Sequence, residues 1–214
     1  MATVAASAVS QMTVARGRPS VVISPSYVTR AGIPDVGRAS RMLRVAMEIR
    51  LIRAKESETL GRITVEAYRQ LFDTESLGPY EEELANVEAR RLDSEVFVAV
   101  TDGEVRGGVT YVPDSKRAMS EFDDEGAAGI RMLAVAPTYQ GHGAGRALIE
   151  KCVERARTDR RERLTLHSTS VMEVAQAMYV KMGFVQVPEL DIHYGGEPYS
   201  EDDPLHLIAY TLTL

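Results

Sequence analysis

The sequence predicts one α/β domain in which a mixed sheet is packed by helices. Apolar runs of strand length alternate with amphipathic helical stretches from Met47 to the C-terminus. An Asp102-Gly103 pair between two apolar runs predicts a β-hairpin. With 214 residues, 44% of them hydrophobic, the chain is long enough and apolar enough to bury a core. We therefore place an ordered domain at residues 47–214 and consider residues 1–46 separately.

The domain begins with a strand and two helices. Residues 48–51 alternate polar and apolar side chains, as a half-buried strand does. Ser57 can cap a helix that runs to about Phe72 and has one apolar side. Residues 80–91 form a second helical stretch, and because it is highly charged we expect it to face solvent for most of its surface.

Three strands follow these helices. Residues 96–100 and 105–112 are the two hairpin strands on either side of the Asp-Gly turn. The acidic segment 121–126 is predicted to be a loop. It leads into residues 130–135, a nearly continuous apolar run that is typical of a central strand covered on both faces.

The last third of the chain alternates helices with strands. After Pro137, a glycine-rich stretch at residues 141–145 opens a helix that runs to about Arg157. Cys152 lies on the apolar row of that helix, so we interpret it as a core residue and not as a nucleophile. The remaining predicted elements are a strand at 164–167, a helix at 172–182 that stops at Gly183, short strands near 185 and 192, and a final strand at 207–214.

Residues 1–46 differ from the rest in composition. They carry six arginines against one acid, Asp35, and glycine or proline interrupts each short apolar run. We predict a mostly disordered basic tail. Two alternatives stay open: an Arg-rich, acid-poor segment similar to an organellar transit peptide, and a translation start at Met42 or Met47. The composition of this stretch does not favour a secretory signal.

Composition argues against several classes of partner. No run of 18 apolar residues occurs, so we expect no membrane-spanning helix. The net charge of −6 argues against nucleic acid as a partner. The single cysteine cannot form an intramolecular disulfide, which favours a reducing, cytoplasmic location. No His/Cys cluster has metal-ligand spacing, so the sequence predicts no metal site.

The motif that carries chemistry is Gln140-Gly141-His142-Gly143-Ala144-Gly145-Arg146, between a buried strand and an amphipathic helix. Its glycines permit positive φ angles, and the free amides of the first helical turn suit a pyrophosphate. A Walker loop is excluded because no Gly-Lys-Ser/Thr follows. A dinucleotide fingerprint needs glycine where Arg146 stands and an acid where His167 and Ser168 stand. Coenzyme A binding and a merely connecting turn stay open at this point.

Three motifs in order resemble the GNAT superfamily of N-acetyltransferases. Gln140-x-x-Gly143-x-Gly145 resembles the family's Gln/Arg-x-x-Gly-x-Gly/Ala signature. Upstream, Leu133-Ala134-Val135-Ala136-Pro137 is similar to its Leu-x-Val-x-Pro strand end. Downstream, Ala175-x-x-x-Tyr179-x-x-x-Gly183-Phe184 resembles its Ala-x-x-x-Tyr-x-x-x-Gly-Phe segment. The resemblance covers about residues 48–214 and is strongest over 130–184.

The resemblance implies a mixed, mostly antiparallel central sheet with helices on both faces and a splayed central strand pair. It implies acetyl-CoA as acyl donor and a primary amine, on a small molecule or a peptide, as acceptor; a homodimer stays open. Tyr179 would be the catalytic acid that protonates or stabilises the leaving thiolate, or would simply position the thiol. The expected cofactor-binding residues are Leu133, Ala134 and Val135 for the pantetheine, and Gln140, Gly141, His142, Gly143, Ala144, Gly145 and Arg146 for the pyrophosphate.

The general base is not evident from the sequence. Residues 129–132 contain no carboxylate where many relatives carry a glutamate, and Glu125 lies far upstream. His167 is a candidate base or substrate contact, and a purely structural role is its alternative. The acidic loop 200–203 could attract an amine. Two other functions stay open: a catalytically silent acyl-CoA sensor, which the missing carboxylate favours, and a nucleotide-binding protein.

Overall fold

The computed structural model describes residues 46–72, 77–193 and 206–214. The predicted basic tail, apart from Ala46, and the acidic loop 200–203 lie outside these residues. The helices and strands are β1 (Glu48–Leu51), α1 (Ser57–Arg69), α2 (Tyr80–Ala85), α3 (Val87–Asp93), β2 (Glu95–Thr101), β3 (Glu104–Val112), β4 (Ala127–Val135), α4 (Ala144–Thr158), β5 (Arg163–Thr169), α5 (Glu173–Lys181), β6 (Val185–Gln186), β7 (Ile192–His193) and β8 (His206–Thr213).

The strands form one sheet in the order β1-β2-β3-β4-β5-β8-β6, and β7 also pairs with β8. Every pair is antiparallel except β4 with β5. The predicted hairpin is confirmed: Asp102 and Gly103 both have positive φ, 56° and 78°, as a two-residue turn between twisted strands requires. The mixed, mostly antiparallel sheet expected from the resemblance is therefore present.

Helices cover both faces of the sheet, as predicted. Alternate residues of β2 face opposite ways. Val96 and Val98 pack in a cluster with Leu60 of α1. Phe97 and Ala99 belong to the main core cluster, which includes the apolar row of α4 and Tyr179 of α5. The sheet is thus the middle layer between α1–α3 on one face and α4–α5 on the other.

The second predicted helix is wrong in two respects. Two short helices, α2 and α3, replace it, and the chain breaks between them at Asn86 (φ −80°, ψ 67°), whose side chain accepts a hydrogen bond from the first turn of α3. The segment is also not mainly solvent-facing, because Tyr80, Leu84 and Val87 are 8%, 0% and 1% exposed. These three residues recur at helical spacing, and the many charged residues between them obscured that stripe.

The parallel strands β4 and β5 splay apart in mid-sheet. They pair from Ala127 with Arg163 up to Ile130 with Leu166, and no residue pair joins them beyond that point. On its other side, β4 pairs with β3 through a bulge, and at the bulge Met132 has a φ of 53°. The gap opened by this splay is the expected position of a ligand.

No helix within the described residues is long and apolar enough to cross a membrane.

Candidate active site

The end of β4 borders the gap between β4 and β5. Gly107 and Gly108 of β3 pair with Val135 and Ala134 of β4, so β4 is held on that side. Beyond Ile130, the opposite edge of β4 pairs with none of the described strands, so its backbone N–H and C=O groups make no interstrand hydrogen bonds to them. The expected pantetheine-binding residues, Leu133 to Val135, lie on this stretch.

The glycine-rich turn carries the backbone geometry that an anion site needs. Gly141 and Gly143 have φ values of 80° and 85°, and Gly143 is the N-cap residue of α4. The first intrahelical bond runs from the N–H of Ala147 to the carbonyl of Gly143 at 3.0 Å. The three N–H groups before Ala147 therefore have no intrahelical acceptor, and they lie at the positive end of the helix dipole.

Polar side chains of the turn bond mostly to the turn itself. The Nδ1 atom of His142 lies 3.1 Å from the carbonyl oxygen of Tyr139 and 3.0 Å from that of Gln140, and its ring stacks on Tyr139. The exposed Arg146 donates from Nε to Glu150 at 2.8 Å, one helical turn away. These contacts fix the shape of the turn and leave its outer surface exposed.

Three sequence-predicted motifs meet at Gly145. A Cβ atom at this position would lie 3.8 Å from both Val135 and the sulfur of Met178, and 4.0 Å from Leu133. Met178 is the neighbour of Tyr179 on α5. The strand end, the glycine turn and the tyrosine helix are far apart in the sequence, yet they converge within van der Waals distance of one atom.

An open groove of about 720 Å³ begins at Arg146, the residue after Gly145, and runs along the surface between α4 and the end of α5. Its lining is amphipathic and carries both signs of charge. The lining includes Arg146, Glu150, Val153, Arg157, Lys181 and Met182.

Tyr179 lies inside the core, with 6% of its surface exposed. Its ring packs against Phe184 and Tyr210, at centroid distances of 5.8 and 6.0 Å. Burial raises the pKa of Tyr179 well above its ordinary value, and the fields of Tyr68 and Cys152 raise it further. Its hydroxyl makes no hydrogen bond to the described part of the chain.

A second, smaller pocket of about 60 Å³ lies beyond the splay, between the α1–α2 side and the ends of β4, β5 and β8. Tyr68 and Tyr80 line it, and burial raises the pKa of Tyr68 to about 12. The hydroxyls of Ser168 and Thr169, at the end of β5, also belong to its lining. Both are buried without a hydrogen-bond partner in the described residues. Such orphaned groups favour a ligand that supplies the missing bonds.

A buried charge network forms one wall of this small pocket. The carboxylate of Glu121 accepts from Arg131 at 2.7 Å on Oε1 and from Nδ1 of His167 at 3.2 Å on Oε2. Glu83 lies 3.8 Å from the same arginine. Burial disfavours the charge on Glu121, but Arg131 and His167 outweigh it and hold its pKa below the ordinary range.

His167 is a hydrogen-bond donor at both ring nitrogens. Its Nε2 lies 2.9 Å from the carbonyl oxygen of Leu190, and its Nδ1 faces the carboxylate of Glu121; both partners only accept. Burial lowers its pKa, yet the hydrogen bond and charge of Glu121 raise it by more, so the net shift is upward. A doubly donating imidazolium is poorly suited to be a general base, so the structure favours the structural role for His167.

The sequence analysis did not identify Glu121, the buried carboxylate that lines this pocket. Glu121 lies in the predicted loop and enters the interior to meet Arg131. The available signal was Arg131 itself, since a charge in the middle of a buried strand needs a buried partner. The partner's identity could not be deduced from spacing, because the loop between them takes an irregular path.

Comparison with known proteins agrees with this geometry. The model of the acetyltransferase (GNAT) family matches residues 60–184. Among solved structures, an acetyltransferase of the GNAT family from Staphylococcus aureus is 17% identical, with a TM-score of 0.60 over 79% of this chain and 99% of that chain. A ribosomal-protein-alanine N-acetyltransferase from Brucella melitensis is 22% identical, with a TM-score of 0.59 over 78% of this chain and 99% of that chain. Another GNAT acetyltransferase from that organism, in complex with acetyl-CoA, is 23% identical over 66% of this chain and 84% of that chain, with a TM-score of 0.51. At these identities the structural likeness establishes the fold.

Proposed function

The chain belongs to the GNAT acetyltransferase family, and from this premise we propose that it transfers an acetyl group from acetyl-CoA to a primary amine. The observation that carries the proposal is the convergence of three motifs at Gly145 beside the unpaired end of β4. A pyrophosphate fits the exposed amides at the start of α4. The pantetheine arm then fits the free edge of β4, from Leu133 to Val135, and the adenosine end fits the groove that begins at Arg146.

The acceptor amine would enter from the small pocket, on the far side of the splay from the glycine turn. In its unprotonated form its nitrogen would attack the thioester carbonyl carbon, so that a C–N bond forms and the C–S bond breaks. Its released proton would pass to solvent. The hydroxyls of Ser168 and Thr169, which have no hydrogen-bond partner within the described residues, would orient the acceptor.

Tyr179 would act on the sulfur as negative charge develops there. An ordinary thiol has a pKa of about 8.5, and the raised pKa of Tyr179 makes its phenol the weaker acid. Complete proton transfer from tyrosine to thiolate is therefore uphill, and we assign Tyr179 the role of hydrogen-bond donor to the departing sulfur. Removing one such donor typically lowers kcat by about 10²- to 10³-fold.

The test is thiol release from acetyl-CoA by the full chain, measured with a panel of small amines and peptides. Tyr179→Phe should lower kcat by about 10²- to 10³-fold while acetyl-CoA affinity stays nearly constant. Tyr111→Phe is the matched control, because it also removes the hydroxyl of a buried tyrosine. That hydroxyl donates a 2.8 Å hydrogen bond to Asp159, outside the proposed active site. Equal turnover by the Tyr179 and Tyr111 variants would refute the assigned role.

A catalytically silent acyl-CoA sensor is the second candidate. It is favoured by the engagement of Glu121 with both Arg131 and His167, because these partners hold the pKa of the carboxyl low and make it a poor acceptor for the amine's proton. A sensor would bind acetyl-CoA but show no thiol release with any amine. NAD and ATP serve as binding controls, since preferential binding of either would refute both candidates.

A further inference from the structure

Three metal-ligating side chains meet at the edge of the sheet, outside the proposed active site. Asp191 directly precedes β7, His193 ends that strand, and His206 begins β8. His193 and His206 are direct cross-strand partners in the β7–β8 pairing. Side chains of directly opposed residues lie on the same face of a sheet with their Cβ atoms about 5 Å apart. The pairing therefore brings together two imidazoles that the sequence separates widely.

The donor atoms of these three residues all lie within 4.8 Å of one another. The two imidazole rings are nearly parallel, with centroids 4.3 Å apart. Oδ2 of Asp191 accepts from Nε2 of His206 at 2.7 Å, while Oδ1 accepts from the backbone N–H of Ala209 at 2.8 Å. The second bond fixes the carboxylate to β8, as an outer partner of a metal-ligating carboxylate does.

The bonding of His206 is incomplete. This residue is 9% exposed, and its Nδ1 atom is buried without a hydrogen-bond partner in the described part of the chain. Neutral imidazole is the form that ligates metal ions.

We propose that Asp191, His193 and His206 bind a divalent transition-metal ion of the Zn²⁺ class. Two imidazoles and one carboxylate suit zinc and its neighbours better than the hard cations Mg²⁺ and Ca²⁺, which prefer all-oxygen sites. In a tetrahedral zinc site, ligand atoms bound at about 2.0–2.2 Å lie about 3.3–3.6 Å apart, so the present separations of up to 4.8 Å must shorten. Rotations of the three side chains can bring about this change, and the ion replaces the Asp191–His206 hydrogen bond with two coordinate bonds.

The metal would brace a wall of the small pocket. The residue before Asp191 is Leu190, whose carbonyl accepts from His167. The residue after His206 is Leu207, which lines the pocket. An ion that joins Asp191 to His206 would thus hold both segments in register beside the acceptor pocket. This role is separate from the proposed transfer chemistry.

The test is calorimetric titration of the chelator-treated full chain with ZnCl₂ in the absence of acetyl-CoA. The expected result is one ion per chain, with thermal unfolding shifted upward by zinc because the ion binds only the folded arrangement. His193→Gln and Asp191→Asn should each weaken zinc binding at least about tenfold. Both are mild changes, since His193 is exposed and asparagine can still accept from Ala209.

His142→Gln is the matched control, because it removes a different exposed histidine and should leave zinc affinity unchanged. No zinc binding by the folded full chain would overturn the proposal. So would binding that the His193 and Asp191 variants leave intact, or that the His142 variant weakens equally, since either result means scattered surface binding. Because the assay contains no acetyl-CoA, its outcome is independent of whether the transferase proposal holds.

Discussion

Replacing Glu121 with glutamine tests whether the buried network beside the small pocket depends on this one carboxylate. Glutamine retains the shape but loses the charge that faces Arg131 at 2.7 Å and His167 at 3.2 Å. Among the acids of the described residues, Arg131 would then keep Glu83 as its ion-pair partner, at 3.8 Å. Removing one member of a buried ion pair typically costs about 3–5 kcal/mol, because the remaining charge stays desolvated. We expect a loss of that size in the free energy of unfolding for Glu121→Gln.

The loss should depend on pH with a defined sign. In the wild type, folding raises the pKa of His167, so the protonated ring stabilises the folded state. This contribution to the free energy of unfolding is fully present below the ordinary histidine pKa of about 6.5, and it is lost as the pH rises through the pKa of the folded state. Without Glu121, burial becomes the dominant influence and lowers that pKa, so protonation at low pH destabilises the variant. The stability difference should therefore be larger near about pH 5.5 than near about pH 8.5.

The assay is urea unfolding of both proteins at these two pH values, with Glu81→Gln as the control. Glu81 pairs with Arg69 at 2.6 Å on the surface, so its replacement should change stability by only about 0–1 kcal/mol. A loss below about 1 kcal/mol for Glu121→Gln, or a difference that grows toward alkaline pH, would refute the assigned network.

Two further predictions concern the glycine turn and the buried thiol. Gly143→Ala should lower the free energy of unfolding by about 1–2 kcal/mol. The cause is backbone strain at its φ of 85° and not a clash, because no atom lies within 4 Å of the added Cβ. The same change should weaken acetyl-CoA binding measured by calorimetry. Gly103→Ala is the control, because Gly103 has a φ of 78° and its added Cβ would also have no atom within 4 Å. It should lower stability by a similar amount but leave the affinity for acetyl-CoA unchanged. Equal losses of affinity in the two variants would contradict a role for the glycine-rich turn in binding. Cys152 is fully buried and burial raises its pKa, so a thiol reagent should label it only as fast as the protein unfolds, and rapid labelling of the native chain would contradict its core position.

Local chemistry explains what the sequence could predict. The hairpin at Asp102-Gly103 depends on two residues that tolerate positive φ, and both adopt it. The glycine turn was equally predictable, because its motif lies between a strand and a helix. Gly183 likewise has a φ of 92° just after α5, where a helix stop was expected.

Contacts between distant segments explain what could not be predicted. Glu121 reaches Arg131 only because an irregular loop folds back, and no periodic pattern records that path. His193 and His206 fit no familiar metal-ligand spacing, which is why the sequence predicted no metal. Only the β7–β8 register places them opposite each other. Conclusions of this kind require the strand pairing, and residue types alone cannot supply it.

The bulge in β4 accounts for how one strand serves both sides of the site. In a regular strand Arg131 and Leu133 would point to the same face. Here Arg131 faces the small pocket and Met132 packs on that same side, whereas Leu133 and Val135 pack in the α4 cluster beside Gly145. Two consecutive side chains on one face are what a bulge produces, and the positive φ of Met132 marks it. The apolar run 130–135 contains no signal for this change of face, although the proposed separation of donor and acceptor depends on it.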